Sequence, residues 1–366
     1  MNTSIARSHQ AWFICIAALL LGCHSDAQKN AAVTSQQGNE PIADIQVTNP
    51  KPYPFRFVAY GDMRFAEHEQ YKVVIANAKA RQAVIDQIGG ENPAFLVVTG
   101  DFVFRGFHAE DWTYFDRAIK PMRDRGIEIY PAVGNHEVGP FPAKLYGGAT
   151  LQEIEKDAEQ VVASKGLDNY YKEFPEISHR PWYSVRYANC YFLILDSEIK
   201  DEKLNMEQDQ WIKKQLDSMS SAIDYIFLAF HRPPYTALTD DVHKPGPEQI
   251  ALSKLLEERA QNSRAHIIVI AGHVHNYERY EHNRVTYIVS GGGGAEPAQF
   301  PRAADDLYPQ NALFGKNDPV NEDQFHYCLF TVDQSKLNFK MMKLVGNGTS
   351  PAFEPRDSFE LDNAAH

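Results

Sequence analysis

The sequence predicts an α/β fold in which two packed, mixed β-sheets are flanked by helices. Three observations point there. From Tyr53 onward, short apolar runs alternate with stretches of helical spacing, the pattern of βαβ units and a largely parallel sheet. Several of those runs end in a Gly followed by Asp, Asn or His. Towards the C-terminus, Arg284–Ser290, Phe325–Val332 and Lys336–Leu344 add runs that read as antiparallel strands.

The elements follow in order. Phe55–Tyr60 reads as a strand, Glu69–Ile88 as a helix, Phe95–Thr99 as a second strand, Ala109–Arg123 as a helix and Ile127–Val133 as a third strand. Val138–Arg180 is a long insertion with one helix at Leu151–Lys165 and scattered Pro, Gly and aromatic residues. Trp182–Tyr187 and Tyr191–Leu195 flank Ala188-Asn189 as a β-hairpin. The alternation resumes with a helix at Gln208–Asp217, a strand at Asp224–Phe230, a helix at Pro247–Arg259 and a strand at Ala265–Ala271. Phe300–Glu322 is a polar, Pro-containing loop, and neither an internal repeat nor a heptad is present. One domain over residues 52–350 is expected, with insertions at 138–180 and 300–322 and a tail at 351–366.

The chain has 366 residues, 43% of them hydrophobic and 23% charged, an ordinary globular composition. A formal charge of −12 argues against a nucleic-acid partner, whose phosphates need clustered Lys and Arg. A small anionic substrate stays compatible, because local cations outweigh the global sign.

Residues 1–22 read as a secretory signal: Arg7 supplies the positive start, and Ala11–Leu21 is apolar but short of the about 20 residues a membrane span needs. The segment ends in Leu20-Leu21-Gly22-Cys23, which resembles the lipobox of bacterial lipoproteins. That resemblance implies acylation of Cys23 and an exported protein lipid-anchored to a bacterial cell envelope, on the outer membrane or periplasmic side. Residues 23–51 are rich in Gln, Asn, Ser, Ala and Thr and read as a flexible tether. Cys190 and Cys328 sit in apolar strand-like runs and are expected as buried thiols.

Five blocks carry the chemistry: Gly61-Asp62-Met63-Arg64, Gly100-Asp101-Phe102-Val103-Phe104-Arg105-Gly106, Gly134-Asn135-His136-Glu137, His231-Arg232-Pro233-Pro234 and Gly272-His273-Val274-His275. Each follows a predicted strand, and sites in open α/β sheets lie at the carboxyl ends of strands. Turn chemistry alone does not select Asn-His at one strand end, His at another and His-x-His at a third. Carboxylate, amide oxygen and imidazole suit Mn, Fe or Zn, and the absence of thiolate argues against a closed structural zinc site.

In this order the blocks resemble the calcineurin-like metallophosphoesterase superfamily over Phe55 to Gly294. His-Arg-Pro-Pro-Tyr, Gly-His-Val-His-Asn-Tyr-Glu-Arg and Tyr-Ile-Val-Ser-Gly-Gly-Gly-Gly are closest to the purple acid phosphatase branch, while Gly-Asp-x-Val-x-Arg-Gly and Gly-Asn-His-Glu are similar to phosphoprotein phosphatases. The resemblance implies a four-layer fold with a central β-sandwich. It implies that Asp62 and His275 hold a first metal, that Asn135, His231 and His273 hold a second, and that Asp101 bridges them. Two ions about 3.5–4 Å apart activate a hydroxide for in-line attack on a phosphate monoester or diester. His136 would then protonate the leaving group or stabilise the transition state. Arg105 matches an arginine that contacts substrate phosphate in the phosphoprotein phosphatases; the alternative for it is a surface salt bridge. Asn276 to Arg279 would orient the histidines or simply pack.

Two departures from the family pattern stand out. Arg64 occupies the place where many members carry a histidine ligand, and Phe104 the place where purple acid phosphatases carry a tyrosine ligand. The first metal therefore has a poor ligand set, with His68 and His108 as loop candidates to complete it. Arg64 is expected either as a second phosphate contact or as the partner of a carboxylate near the site. A catalytically degenerate phosphate- or metal-binding envelope lipoprotein is the alternative to an enzyme.

Overall fold

A computed structural model describes residues 44–66, 76–139, 167–177, 179–238, 240–298, 325–346 and 350–364. The fold is the expected one. A seven-stranded sheet has the order β1-β5-β6-β7-β8-β10-β9, and a six-stranded sheet the order β13-β12-β11-β2-β3-β4. The strands are β1 Asp44–Gln46, β2 Phe55–Tyr60, β3 Phe95–Val98, β4 Glu128–Pro131, β5 Tyr183–Tyr187, β6 Cys190–Ile194, β7 Tyr225–Phe230, β8 His266–Ala271, β9 Tyr277–His282, β10 Val285–Ser290, β11 His326–Val332, β12 Lys336–Val345 and β13 Ala352–Asp362.

The two sheets close on an aromatic core. Phe57 of β2 stacks on Phe95 and Phe330 of its own sheet, at ring-centroid distances of 5.1 and 4.6 Å. It meets Phe192 and Phe227 of the facing sheet edge-on, at 5.2 and 5.1 Å. Offset and edge contacts of this kind add to the area buried by each ring. Cys190 and Cys328 are buried free thiols.

Helices complete the outer layers. Helix α1, Ala78–Glu91, starts where the Asn77 side chain accepts from Ala80 N at 3.0 Å and ends at Asn92 in the left-handed region. Its Ala80, Val84 and Ile88 recur every fourth residue and are buried. Helix α2, Ala109–Arg123, buries Trp112, Phe115, Ile119 and Met122 and carries acids in its first turn and bases in its last, as the helix dipole favours. Past the short helices α3, Asn135–Val138, and α4, Asp168–Glu173, helices α5, Glu202–Asp217, and α6, Pro247–Ala260, set Ile212 and Leu256 into a second apolar cluster with Ile226 and Leu228 of β7.

Two expectations need correction. Residues 351–366 do not form a tail: Ala352–Asp362 runs antiparallel to β12 as an edge strand. Its outer face is charged, and only Phe353, Phe359 and Leu361 reach the core. The stretch expected as a tether contributes Asp44–Gln46, parallel to β5. Of the aromatic residues in the insertion and its flank, which could stack on a base or sugar or simply pack, Tyr170, Tyr171 and Trp182 pack: they are buried, and Tyr170 Oη donates to Pro131 O at 2.9 Å. Cys23, His68, Phe141, Tyr146, the helix expected at Leu151–Lys165 and the loop at Phe300–Glu322 lie outside the described residues. Among the described residues, no helix is long and apolar enough to cross a membrane.

Candidate metal centre

Strands β2, β3 and β4 are mutually parallel, as are β7 and β8, so five strand ends open on one edge of the sandwich. The residues just past those ends adopt conformations that side chains rarely take. Asp62, Arg64, Asp101 and His273 all have φ between 51 and 69°. Left-handed backbone at non-glycine residues costs about 1–3 kcal/mol each and concentrates at functional sites. The glycines between them let the loops close up. Gly100 has φ of +94°, and a Cβ there would stand 2.6 Å from Gly134 N; a Cβ on Gly272 would stand 2.6 Å from Asp62 Oδ2.

Glu137 ties two of the loops, those after β3 and β4. Its carboxylate accepts from Asp101 N and Gly134 N at 2.9 Å through Oε2, and from Phe102 N at 2.9 Å and Val103 N at 3.4 Å through Oε1. Burial, reinforced by the nearby Asp101 charge, pushes its pKa up to about 8 against those four N–H groups.

The six residues expected as ligands converge. Asp62, Asp101 and His275 each offer an atom within 4.8 Å of the others. His275 Nδ1–H donates to Glu296 O at 2.8 Å, which turns Nε2 inward. That Nε2 and Asp62 Oδ1 are buried, 3.6 Å apart, and have no hydrogen-bond partner among the described residues. On the other side, His231 Nδ1–H donates to Thr99 O at 2.8 Å, so the Nε2 lone pair faces Asn135 Oδ1 at 2.9 Å and Asp101 Oδ1 at 3.4 Å. Two tautomers are open to His273. Donation from Nε2–H to Val242 O, at 2.9 Å, aims the Nδ1 lone pair at the same point; acceptance at Nε2 from Arg232, also at 2.9 Å, puts a proton on Nδ1, 3.2 Å from His231 Nε2. Only the first tautomer serves a cation.

Lone pairs gathered this closely, several without a proton between them, fit a bound cation better than a hydrogen-bond network. The electrostatics agree. Burial, with Asp101 beside it, raises the pKa of Asp62 well above its ordinary value. Burial also opposes the charge on Asp101, but His136, His231 and Arg64 overcome it and hold that carboxyl low. Burial lowers the pKa of His231, His273 and His275, leaving neutral imidazoles, the form that ligates.

The structure also places the three residues expected to work beside the ligands, and Arg64 takes the second of its two expected roles. Arg64 points at a carboxylate: Nε and Nη2 donate to Asp101 Oδ2 at 3.3 and 3.1 Å. Arg105 is buried, and its Nε and Nη2 donate to the two oxygens of buried Asp111 at 3.0 and 2.9 Å, so it ties down the first turn of helix α2. His136 donates Nδ1–H to Phe104 O at 2.7 Å and turns Nε2 towards Asp101 Oδ2 at 3.8 Å. Burial, then the Arg64 charge, push its pKa down to about 3, so the imidazole is neutral and the inward nitrogen accepts hydrogen bonds. His108 N-caps α2 and pairs with Glu110 at 3.2 Å. Of Asn276 to Arg279, the last three lie in β9, where Tyr277 and Arg279 bind Asp357, and Glu278 accepts from Ala237 N at 2.8 Å.

Sequence reasoning missed the carbonyl oxygens of Thr99, Phe104, Val242 and Glu296, because backbone acceptors carry no residue signature. It also missed His243, whose ring centroid lies 5.3 Å from that of His273. A His three residues after an Asp in a polar loop reads as an exposed pair, and Asp240 does bind it, at 2.8 Å.

The pattern description of the calcineurin-like phosphoesterases matches residues 42–277. The chain belongs to that family. Curated relatives within it are plant purple acid phosphatases. Purple acid phosphatase 22 of Arabidopsis thaliana is 23% identical over 67% of this chain and 49% of its own length, and purple acid phosphatase 15 of the same plant is 26% identical over 72% and 49%. The chain thus spans about half the length of these relatives. Among solved structures, the purple acid phosphatase PPD1 from yellow lupin seeds superposes with a TM-score of 0.62 at 21% identity, covering 86% of this chain and 55% of that one. PhoD superposes with a TM-score of 0.57 at 14% identity, covering 88% and 72%. These likenesses agree on the four-layer calcineurin-like fold.

Proposed function

We propose that this calcineurin-like chain is a metal-dependent phosphoric ester hydrolase with a binuclear centre. One observation carries the reading: lone pairs of Asp62, Asp101, Asn135, His231, His273 and His275 converge on one buried point, two of them with no partner among the described residues. Asp62 and His275 would hold one ion, Asn135, His231 and His273 the other, and Asp101 both. Mn, Fe or Zn fit these donors. Bound ions supply Lewis acidity to a phosphoryl group and a nucleophile near neutral pH.

The rest is the work of this chain's own residues. Carbonyl oxygens of Thr99 and Glu296 fix the inward nitrogen of His231 and His275, and that of Val242 does so for His273 in the tautomer that serves a cation. Asp101 supplies one oxygen to each side of the centre. His136 Nε2, neutral and buried, takes a hydrogen bond from a group arriving beside Asp101. The substrate is a small phosphate monoester or diester, met outside the cytoplasm if Cys23 is acylated; the apolar run ending at Gly22-Cys23 supports that anchor. Failure of a Cys23→Ser chain to lose its membrane association would remove it.

A second reading, a binder without turnover, is favoured by one observation, the Arg64 cation already seated on Asp101. The protein lacking residues 1–22 is assayed on p-nitrophenyl phosphate and bis-p-nitrophenyl phosphate with Mn, Fe or Zn. Hydrolysis well above that of Asn135→Ala is expected, and the ratio of the two rates assigns monoester or diester. Equal rates for the two proteins with every metal leave only the binder.

A further inference from the structure

Arg64 lies at the heart of the centre and is bound to its bridging residue. Its Nε and Nη2 reach Asp101 Oδ2 at 3.3 and 3.1 Å, and Asp101 is wholly buried. The backbone beneath it is fixed: Arg64 N donates to Asp101 O at 3.0 Å, and Arg81 Nη1 donates to Arg64 O at 3.1 Å. The side chain keeps 17% of its surface exposed, so the guanidinium has a way out towards solvent while its backbone stays in place. Its positive charge also acts on Asp62, His136, His231 and His275.

Two neighbouring carboxylates buried without a cation repel each other and lose hydration, and removing the partner of a buried charge is strongly destabilising. A site built only for exchangeable ions faces that problem whenever it is empty. We infer that Arg64 is a built-in counter-ion that keeps the site assembled without metal and competes with an ion for Asp101. Rested on the metal-centre reading above, this makes loading at Asp62, Asp101 and His275 a displacement: the guanidinium releases Oδ2 and turns outward as the ion arrives. The released guanidinium then sits at the rim of the centre, where it meets an anionic ester. Competition of this kind weakens apparent affinity by the fraction of molecules in which Asp101 is already taken.

The test compares wild type with Arg64→Gln, which keeps the length of the side chain and removes its charge. Mn binding is measured by chelator competition and by metal content, and unfolding temperature with and without Mn. In Arg64→Gln one Mn should bind about tenfold tighter or more. The metal-free protein should melt lower, and the rise in melting temperature on adding Mn should be larger than in wild type. If Arg64→Gln does not fold without metal, Arg64→Lys, which retains charge but not the two-pronged contact, should show the same changes in smaller measure. One ion bound by wild type with no gain in affinity or content in either variant overturns the role of Arg64 alone. No Mn bound by wild type, and no effect of Asn135→Ala or His231→Ala on unfolding with metal, overturns the metal centre itself.

Discussion

His275 Nε2 lies 3.6 Å from Asp62 Oδ1, buried on both sides, and neither atom has a hydrogen-bond partner among the described residues. Buried polar atoms are normally satisfied, and two orphans facing each other mark a place held open for a third atom. The first prediction follows. Asp62→Asn keeps the acceptor for His273 N, removes a carboxylate whose charge is opposed by burial and by Asp101, and gives His275 Nε2 an N–H donor. The metal-free protein should gain about 1–3 kcal/mol, while the stabilisation by added Mn shrinks. Thermal unfolding with and without Mn reads both changes; a variant that melts lower without metal refutes this account.

Glu137 makes the opposite prediction. Truncation by Glu137→Ala leaves the N–H groups of Asp101, Phe102, Val103 and Gly134 buried without their acceptor. Each orphan costs about 1–3 kcal/mol, and the loops carrying Asp101 and Asn135 lose their common tie. The expected result is a drop in unfolding temperature of many degrees together with weaker Mn retention. An unchanged Mn affinity in a destabilised Glu137→Ala would show that the tie serves the fold only.

The candidate ligand residues were legible because they sit directly after short apolar runs, often behind a glycine, a local pattern that needs no knowledge of the rest of the chain. Glu137 stood inside one of those blocks, yet its work spans the loops after two strands, β3 and β4, and appears only when they are brought together. Arg64 and Arg105 show the same limit. For each the sequence left open a phosphate contact or an ion pair, and a guanidinium next to such a block carries no sign of whether Asp101 or Asp111 will capture it first. The last strand was hidden differently. Ala352–Asp362 alternates half-buried residues with charged ones on an exposed edge, which reads as a polar tail until Phe359 is seen stacked on Phe339 at 4.6 Å.

Asp196 sets a pH dependence away from the metal ligands. Burial pushes its carboxyl up to about 7, against one hydrogen bond from Glu198 N at 2.7 Å. A carboxyl in the unfolded chain titrates near 4, so between about pH 4 and 7 the folded state binds more protons than the unfolded one. Stability then falls as pH rises through that window, by on the order of 4 kcal/mol at most. Asp196→Asn keeps the acceptor and removes the titration. Denaturant unfolding of chelated protein at several pH values should show wild type losing stability from pH 4 to 7 by more than the variant does. Parallel profiles would mean that Asp196 titrates normally.

Arg105 offers the sharpest contrast between a structural and a substrate role. It and Asp111 form a two-pronged ion pair in which both side chains are buried, at the first turn of helix α2. Removing one member of such a pair strands the other charge, at about 3–5 kcal/mol. Arg105→Ala should therefore lower the unfolding temperature sharply, and the double change Arg105→Leu with Asp111→Leu should recover much of the loss, because no charge is left stranded. Turnover of p-nitrophenyl phosphate by the refolded double variant should show a KM close to wild type, since in the wild type the guanidinium is engaged by Asp111. A phosphate-binding arginine would give the reverse: a KM raised by an order of magnitude or more at unchanged stability in Arg105→Ala, and no rescue on removing Asp111.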